Sequence, residues 1–335
     1  MARIAINGFG RIGRIFFRQT FGNPDIEIVA INDLGSADNL AYLLKYDSVY
    51  GRYGKSVQVA DRKMIVDGKE IILFQEKDPS KLPWKDLNID VVVESTGVFD
   101  SRDKAKVHLD AGVKRVVITA SAHDDVTPTA TPNVGIDVLS KDKITSNASC
   151  TTNAVNPVIS VMMQNPGIEK ALLTTVHGYT ATQGLVDGPD KKDDFRRARA
   201  AAANIVPSTT GAAKATTRVI TALEGKFDGI AIRVPVISGS LIDVTFVSSR
   251  PTSKDEINEI FKKAATLPEW QGILTVTEEP LVSTDILATE YGSIVDLALT
   301  RIADSNLVKV FAWYDNEWGY SAMLLKHVLV VSKML

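Results

Sequence analysis

Apolar and polar positions in the first half of the chain alternate between two periods. Residues 3–7 (RIAIN) read as a strand, 11–20 carry helical spacing, and 27–33 (EIVAIND) read as a second strand. Asp67-Gly68 separates two apolar runs within 64–75, which predicts a hairpin. Residues 91–95 (VVVES) are nearly continuous and apolar, the pattern of a parallel strand buried on both faces. A helix over 102–111 follows, with Gly112 as its stop, and then a strand over 115–120 (RVVITA). This strand-helix-strand rhythm predicts an α/β unit with a doubly wound parallel sheet.

The rhythm changes after Cys150. Strand candidates now run over 171–177, 229–235, 241–250, 293–302 and 307–315, with fewer helices between them and a hairpin turn at 304–306. A mixed or antiparallel sheet follows, hence a second, α+β domain. A last helix over 317–333 places Met323, Leu324, Val328 and Val331 on one apolar face, which suits packing on either domain.

Length agrees with two domains, because a single core stops growing at roughly 250–300 residues and the chain has 335. A net charge of -2 argues against a nucleic-acid binder that relies on a strong positive field. No apolar run reaches the length of a membrane span, and the first residues lead straight into a strand, so a cytoplasmic location is the default expectation. The lone cysteine excludes an intrachain disulfide and a multi-thiolate metal site, and no metal is expected.

Gly8-Phe9-Gly10-Arg11-Ile12-Gly13 has the G-x-G-x-x-G spacing, preceded by a strand and followed by a helix. Its glycines would supply a tight turn, close approach to a pyrophosphate, and close helix-strand packing. Asp33 ends the next strand, twenty residues after Gly13. Its carboxylate suits an adenosine ribose and would repel a 2′-phosphate, which favours NAD over NADP. The bland alternative is a tight strand-helix turn with Asp33 capping a loop.

Cys150 stands in SNASCTTN between a strand over 143–146 and a helical stretch over 154–163. Ser149 as N-cap would place the thiol in the first helical turn, where the helix end favours a thiolate. Polar neighbours argue against a thiol filling a core. Among four histidines, His108 lies on a helix with charged neighbours, His123 in an acidic loop and His327 on the last helix. His177 ends an apolar strand and opens into a loop, where catalytic groups are commonly presented; a satisfied structural histidine remains the alternative. Ionising a thiol of pKa about 8.5 completely at neutral pH is worth only roughly 2 kcal/mol. Positioning and oxyanion donors must therefore supply more, with the Cys150 N–H and His177 as candidates.

INGFGRIGR, SNASCTTN, HGYTATQ, RRARAAAANIVPSTTGAAKA, RVP at Arg233 and WYDNEWGYS together resemble the phosphorylating glyceraldehyde-3-phosphate dehydrogenase family, of bacterial glycolytic type. The resemblance spans nearly the whole chain. It implies a Rossmann-type NAD-binding domain over 1–149, a catalytic domain over 150–316, and a C-terminal helix over 317–335 packing back on the first. It also implies attack of Cys150 on triose phosphate, assisted by His177, hydride transfer to NAD, and release of the thioester by inorganic phosphate. Thr180, Thr182 and Arg233 would hold the substrate's phosphate. Ser149, Thr151, Arg197, Thr210 and Gly211 would hold the attacking one. Gly8, Gly10, Arg11, Ile12, Gly13, Asp33, Lys77, Thr119 and Asn316 would contact the cofactor. A homotetramer is implied, with the loop over 182–203 near a neighbouring subunit's cofactor.

From the residues alone, Arg196-Arg197-Ala198-Arg199 reads as a solvated loop and Ser208 to Gly211 as a helix cap. The sequence departs from the family pattern at Ala154, Lys77, Ser121 and the segments 123–137 and 236–240, the last two bearing on substrate preference. Two rivals remain: a non-phosphorylating relative such as erythrose-4-phosphate dehydrogenase, against which YTATQ and STTG argue, and a binding protein holding RNA on its cofactor groove.

Overall fold

The computed structural model describes residues 1–190 and 194–335, so 191–193 of the loop over 182–203 lie outside the described residues. Chain contacts divide it into two compact units, Met1–Ala148 with Ser321–Leu335, and Ser149–Tyr320.

In the first unit, β1 (Ala2–Asn7), α1 (Arg11–Thr20), β2 (Ile26–Asn32) and α2 (Ala37–Lys45) come first. The two-residue strands β3 (Tyr46–Asp47) and β4 (Gly51–Arg52) pair with each other. Next are β5 (Val57–Ala60), β6 (Lys63–Val66), β7 (Lys69–Phe74), β8 (Val91–Glu94), α3 (Arg102–Asp110), β9 (Arg115–Ile118) and β10 (Ile144–Ser146). The main sheet runs β10-β9-β8-β1-β2-β7-β6-β5. The neighbours from β10 through β7 are parallel, and β6 and β5 add an antiparallel edge. The predicted hairpin joins this edge to β7: Val66 faces Lys69 across Asp67-Gly68, both with positive φ. The chain winds outward in both directions from β1, so the order reverses between β1 and β8. Ligands of such sheets bind in the crevice at that reversal, beyond the carboxyl ends of the strands. Burial follows from position, since all four residues of β8 and of β9 are enclosed.

The second unit holds α4 (Cys150–Gln164), β11 (Ile168–Gly178), β12 (Val206–Thr209), α5 (Ala212–Val219), β13 (Phe227–Val234), β14 (Ser240–Ser248) and α6 (Lys254–Thr266). It continues through β15 (Leu274–Thr277), β16 (Ser293–Asp296), β17 (Arg301–Ala303) and β18 (Leu307–Tyr314). These strands form a mixed sheet, β12-β13-β11-β14-β18-β16-β15, with β17 pairing to β18. The single strand expected over 293–302 is broken. Asp296 accepts from Ala298 N at 3.2 Å and caps a 3₁₀ turn, Leu297–Leu299, which splits β16 from β17. The expected turn over 304–306 joins β17 to β18, with Asp304 and Ser305 both at positive φ. Ser208 to Gly211 is more than a helix cap: Ser208 and Thr209 finish β12, and only then does Gly211 cap α5.

The last helix, α7 (Trp318–Ser332), starts at the end of the second unit and enters the first. Leu324, Val328 and Val331 join the core cluster of Ile4, Ile6, Phe16, Phe17 and Val93. His327 is buried among them; Thr145 Oγ1 lies 2.9 Å from its Nε2, and its ring N–H is drawn to the Ala130 carbonyl. Burial holds this imidazole down at about 4. The unfolded chain therefore takes up a proton at His327 near pH 6.5, before the folded protein does. The resulting stability is fully present above that pH and is lost as pH falls towards 4. His327→Gln is expected to remove on the order of 3 kcal/mol of the acid sensitivity across this window, with the first unit losing its structure less steeply. Circular dichroism melts from pH 7 to 4 would check this; parallel curves for the two proteins would contradict it.

Candidate active site

The nucleophile's position is set by a helix start. Ser149 has extended backbone, and its Oγ accepts from Thr152 N at 3.1 Å, so α4 begins at Cys150. The thiol thus occupies the first turn, as its sequence predicts. Cys150 stays partly exposed. Its Sγ lies 3.3 Å from His177 Nε2. The N–H and hydroxyl of Thr151, and the Cys150 N–H, are also directed at the sulfur.

His177 reaches the sulfur because β11 and β13 are parallel and in register, His177 opposite Arg233. Arg233 Nη1 stands 2.6 Å from His177 Nδ1 and donates to the Gly178 carbonyl at 3.1 Å. The same carbonyl is 2.6 Å from Nδ1. With Nδ1 protonated, it donates to Gly178 and the Nε2 lone pair faces the thiol. With Nδ1 accepting from Arg233, Nε2–H points at the sulfur and suits a thiolate. The ring can therefore serve both protonation states of Cys150 without rotating.

Burial and the local donors act on the pair in opposite directions. Burial pushes the Cys150 thiol up, although Arg233 and the Thr151 and Cys150 donors pull the other way. Desolvation outweighs the helix end and the guanidinium together. Burial first, then Arg233, pushes His177 down to about 3, against the pull of the Gly178 carbonyl. Burial thus works against charge on either group, while Arg233 and the Thr151 and Cys150 donors favour the thiolate.

Arg233 is the cation of this site. It is largely enclosed, its Nε has no hydrogen-bond partner, and no carboxylate pairs with it among the described residues. The charge of Arg197 acts on both Arg233 and His177. The Arg233 guanidinium beside the His177 imidazole leaves positive charge for an incoming anion to balance.

Arg197 is also less free than a solvated loop residue. It is half-buried, donates to Ser208 Oγ at 2.8 Å, and lies 3.4 Å from Asp194. Thr180 and Thr182 place their hydroxyls 2.8 Å apart in the loop after β11. Thr210 Oγ1 accepts from Ala212 N at 3.2 Å, and exposed Gly211 heads α5. The structure brings Cys150, Thr151, His177 and Arg233 into one cluster and leaves Ser149 engaged as a cap.

Tyr314 escaped the sequence reading. Its buried hydroxyl bridges Thr151 Oγ1 at 3.0 Å and Thr175 Oγ1 at 2.8 Å, and its ring meets His177 edge-on. It ties the first turn of α4 to the strand bearing His177. Inward alternation along β18 was the available signal. Ser240 was missed as well: its Oγ accepts from Gly178 N at 3.2 Å and donates to Asn316 Oδ1 at 2.8 Å. The divergent segment over 236–240 therefore holds Asn316, whose Oδ1 also accepts from Gly239 N at 3.1 Å.

The residues expected to hold the dinucleotide, Asn316 apart, lie on the first unit. Gly8 has φ +94, and a Cβ there would meet Thr96 N at 2.6 Å; at Gly13 it would meet the Gly8 carbonyl at 2.2 Å. Gly10 is open, with nothing within 4 Å of its added Cβ. It begins α1 with no side-chain cap and no acidic residue in the first turn, which suits a pyrophosphate. Asp33 Oδ2 accepts from Phe9 N at 2.6 Å and Oδ1 from Gly35 N at 2.8 Å, so it also shapes the glycine turn. Gly8, Asp33 and Thr119 immediately follow β1, β2 and β9, and exposed Lys77 comes three residues after β7, all at the carboxyl edge of the sheet. Ile12 packs partly on the core, and Arg11 pairs with Asp47 beside Tyr50. These residues fit a dinucleotide.

A doubly wound sheet with this glycine turn and an acidic strand end defines the class of dinucleotide-binding proteins. Residues 2–102 match the glyceraldehyde 3-phosphate dehydrogenase NAD binding domain, and 149–316 match the C-terminal domain of the same family. Among curated proteins, the chain is 49% identical over 337 residues to glyceraldehyde-3-phosphate dehydrogenase of Thermotoga maritima, covering 100% of both. It is 48% identical over 335 residues to glyceraldehyde-3-phosphate dehydrogenase 2 of Streptomyces avermitilis, covering 99% of both. With glyceraldehyde-3-phosphate dehydrogenase 1 of Candida glabrata the identity is 47% over 340 residues, 99% of this chain and 100% of the other. The chain belongs to the glyceraldehyde-3-phosphate dehydrogenase family, and NAD is its cofactor.

Proposed function

We infer that this chain oxidises D-glyceraldehyde 3-phosphate with NAD and inorganic phosphate to 1,3-bisphosphoglycerate. The observation that carries this reading is the sulfur–imidazole contact at 3.3 Å, with Arg233 on the far side of the same ring. Cys150 Sγ attacks the aldehyde carbon as His177 Nε2 takes the thiol proton. Neutralising the substrate's phosphate on Arg233, Thr180 and Thr182 fixes the aldehyde over the sulfur. His177, now carrying a proton, and the Cys150 N–H donate to the developing oxyanion. Gly8, Gly10, Arg11, Ile12, Gly13, Asp33, Lys77, Thr119 and Asn316 would hold NAD, which would supply the hydride acceptor for the oxidation. The acyl group remains on sulfur as a thioester. Inorganic phosphate, bound by Ser149, Thr151, Arg197, Thr210 and Gly211, attacks that carbon and expels the thiolate. The oxidation's energy is thereby kept in the acyl phosphate.

The test is NADH formation from this aldehyde with and without phosphate or arsenate. Sustained turnover independent of either anion would assign the thioester to water and end the phosphorylating reading.

On the same reading, 1–149 binds NAD, 150–316 carries the catalysis, and 317–335 returns to the first domain. The protein works in the cytoplasm as a homotetramer. Support for assembly comes from exposed apolar side chains: Leu172 and Ile230 on one face of the second unit's sheet, and Leu185, Val186 and Phe195 in the loop after β11. No helix among the described residues is long and apolar enough to cross a membrane. Light scattering during gel filtration measures the assembly, and a monomer at micromolar concentration would refute it.

A further inference from the structure

One polar cluster in the first unit is unused by this chemistry. Glu94, the last residue of β8, is buried, and four donors converge on its carboxylate. Oε2 receives Asn7 Nδ2 at 2.6 Å and His108 Nε2 at 3.0 Å. Oε1 receives Thr96 N at 2.8 Å and the Thr96 hydroxyl. His108 is wholly buried in α3, and Trp84, also wholly buried, donates its Nε1–H to His108 Nδ1 at 3.3 Å. An indole N–H only donates, so Nδ1 must accept and Nε2 must carry the proton that faces Glu94. The cluster extends sideways: Asn32 Nδ2 donates to Asn7 Oδ1 at 2.7 Å, and Asn32 pairs with both backbone groups of Glu76 at 2.9 Å.

The location gives the cluster its meaning. Asn7, Asn32 and Glu94 are the final residues of β1, β2 and β8, the strands around the reversal of sheet order. Thr96 is the residue that packs against Gly8 so closely that no Cβ fits between them. Packing alone would be served as well by apolar residues, since a buried charge contributes little net stability even when fully satisfied. A carboxylate with all its acceptor sites filled instead fixes directions, and here it fixes the Ser95–Thr96–Gly97 turn against the glycine turn.

We propose that Glu94, His108 and Trp84 form a positioning relay for the dinucleotide: Trp84 sets the His108 tautomer, His108 orients Glu94, and Glu94 holds the Thr96 turn as a wall of the crevice beside Gly8. None of the three acts on the substrate. The relay's output is NAD affinity, separate from the reactivity of Cys150.

The experiment uses full-length protein and titrates NAD by calorimetry. His108→Leu deletes the donor to Glu94 and is expected to weaken NAD binding about tenfold or more, raising the KM for NAD while kcat stays within about twofold. His108→Gln returns an N–H near the Nε2 position and is expected to recover most of the affinity, which restored packing alone would not do. Alkylation of Cys150 without NAD should proceed at the parent rate in both. Should His108→Leu fail to fold, Trp84→Phe removes the tautomer-setting N–H, together with part of the buried ring, and is expected to weaken NAD about threefold. NAD affinity equal to the parent's in folded His108→Leu, or in Trp84→Phe, overturns the proposal, as does a His108→Gln protein no better than His108→Leu.

Discussion

Cys150→Ser is expected to lower NADH formation from glyceraldehyde 3-phosphate by about 10⁴-fold or more while NAD affinity stays within about twofold. The substitution keeps the helix position and a hydroxyl on the side facing His177, so the local fold survives. What fails is proton transfer. An alcohol must lose its proton to an imidazole that burial and Arg233 hold down at about 3, too weak a base for the task. Sulfur escapes this limit because its thiol is far more acidic than an alcohol and its thiolate is strongly nucleophilic even at a small population. Stopped-flow absorbance and calorimetric NAD titration make the measurement. Turnover within tenfold of the parent would mean that another group receives the acyl chain.

His177→Asn carries the second large effect, a loss in kcat of about 10²–10³-fold. Because the imidazole stays neutral well below pH 5, its own titration should not shape alkylation of Cys150 between pH 6 and 9. Over that range the rate should climb with pH as the thiol, which burial pushes up, begins to ionise. Removing Nε2 takes away the atom that receives the thiol proton and later donates to the thiolate. Iodoacetamide modification near neutral pH should then slow, and the climb should move to higher pH. An unchanged rate across the range would deny His177 any part in activating the sulfur.

Periodicity disclosed the elements whose burial is one-sided or complete. The continuous VVVES and RVVITA runs marked β8 and β9, and Asp67-Gly68 marked the β6–β7 hairpin, because each pattern has one low-energy backbone solution. The loss of regularity at 297–299 could not be read, since it turns on Asp296 capping a local turn in preference to extending a strand. At the site, polar context and a strand end singled out Cys150 and His177, which the fold brings within 3.3 Å, while the burial acting on both could not be read. Net burial decides protonation, and a linear sequence does not state which charges share an enclosure. His108 shows the same limit. Lysines and aspartates surround it in sequence, yet its helical phase, three residues after buried Ala105, turns it into the interior.

The return of the chain to its first unit at Ser321 has a consequence for biosynthesis. When the ribosome has delivered residues 1–148, the sheet that receives the dinucleotide still lacks Leu324, Val328 and Val331, which are made only after the whole second unit. The first unit must wait for the helix that follows the second before its interior closes, reversing the usual vectorial order in which early domains mature first. A nascent chain arrested before residue 320 would consequently expose an apolar trough to chaperones even with its second unit complete.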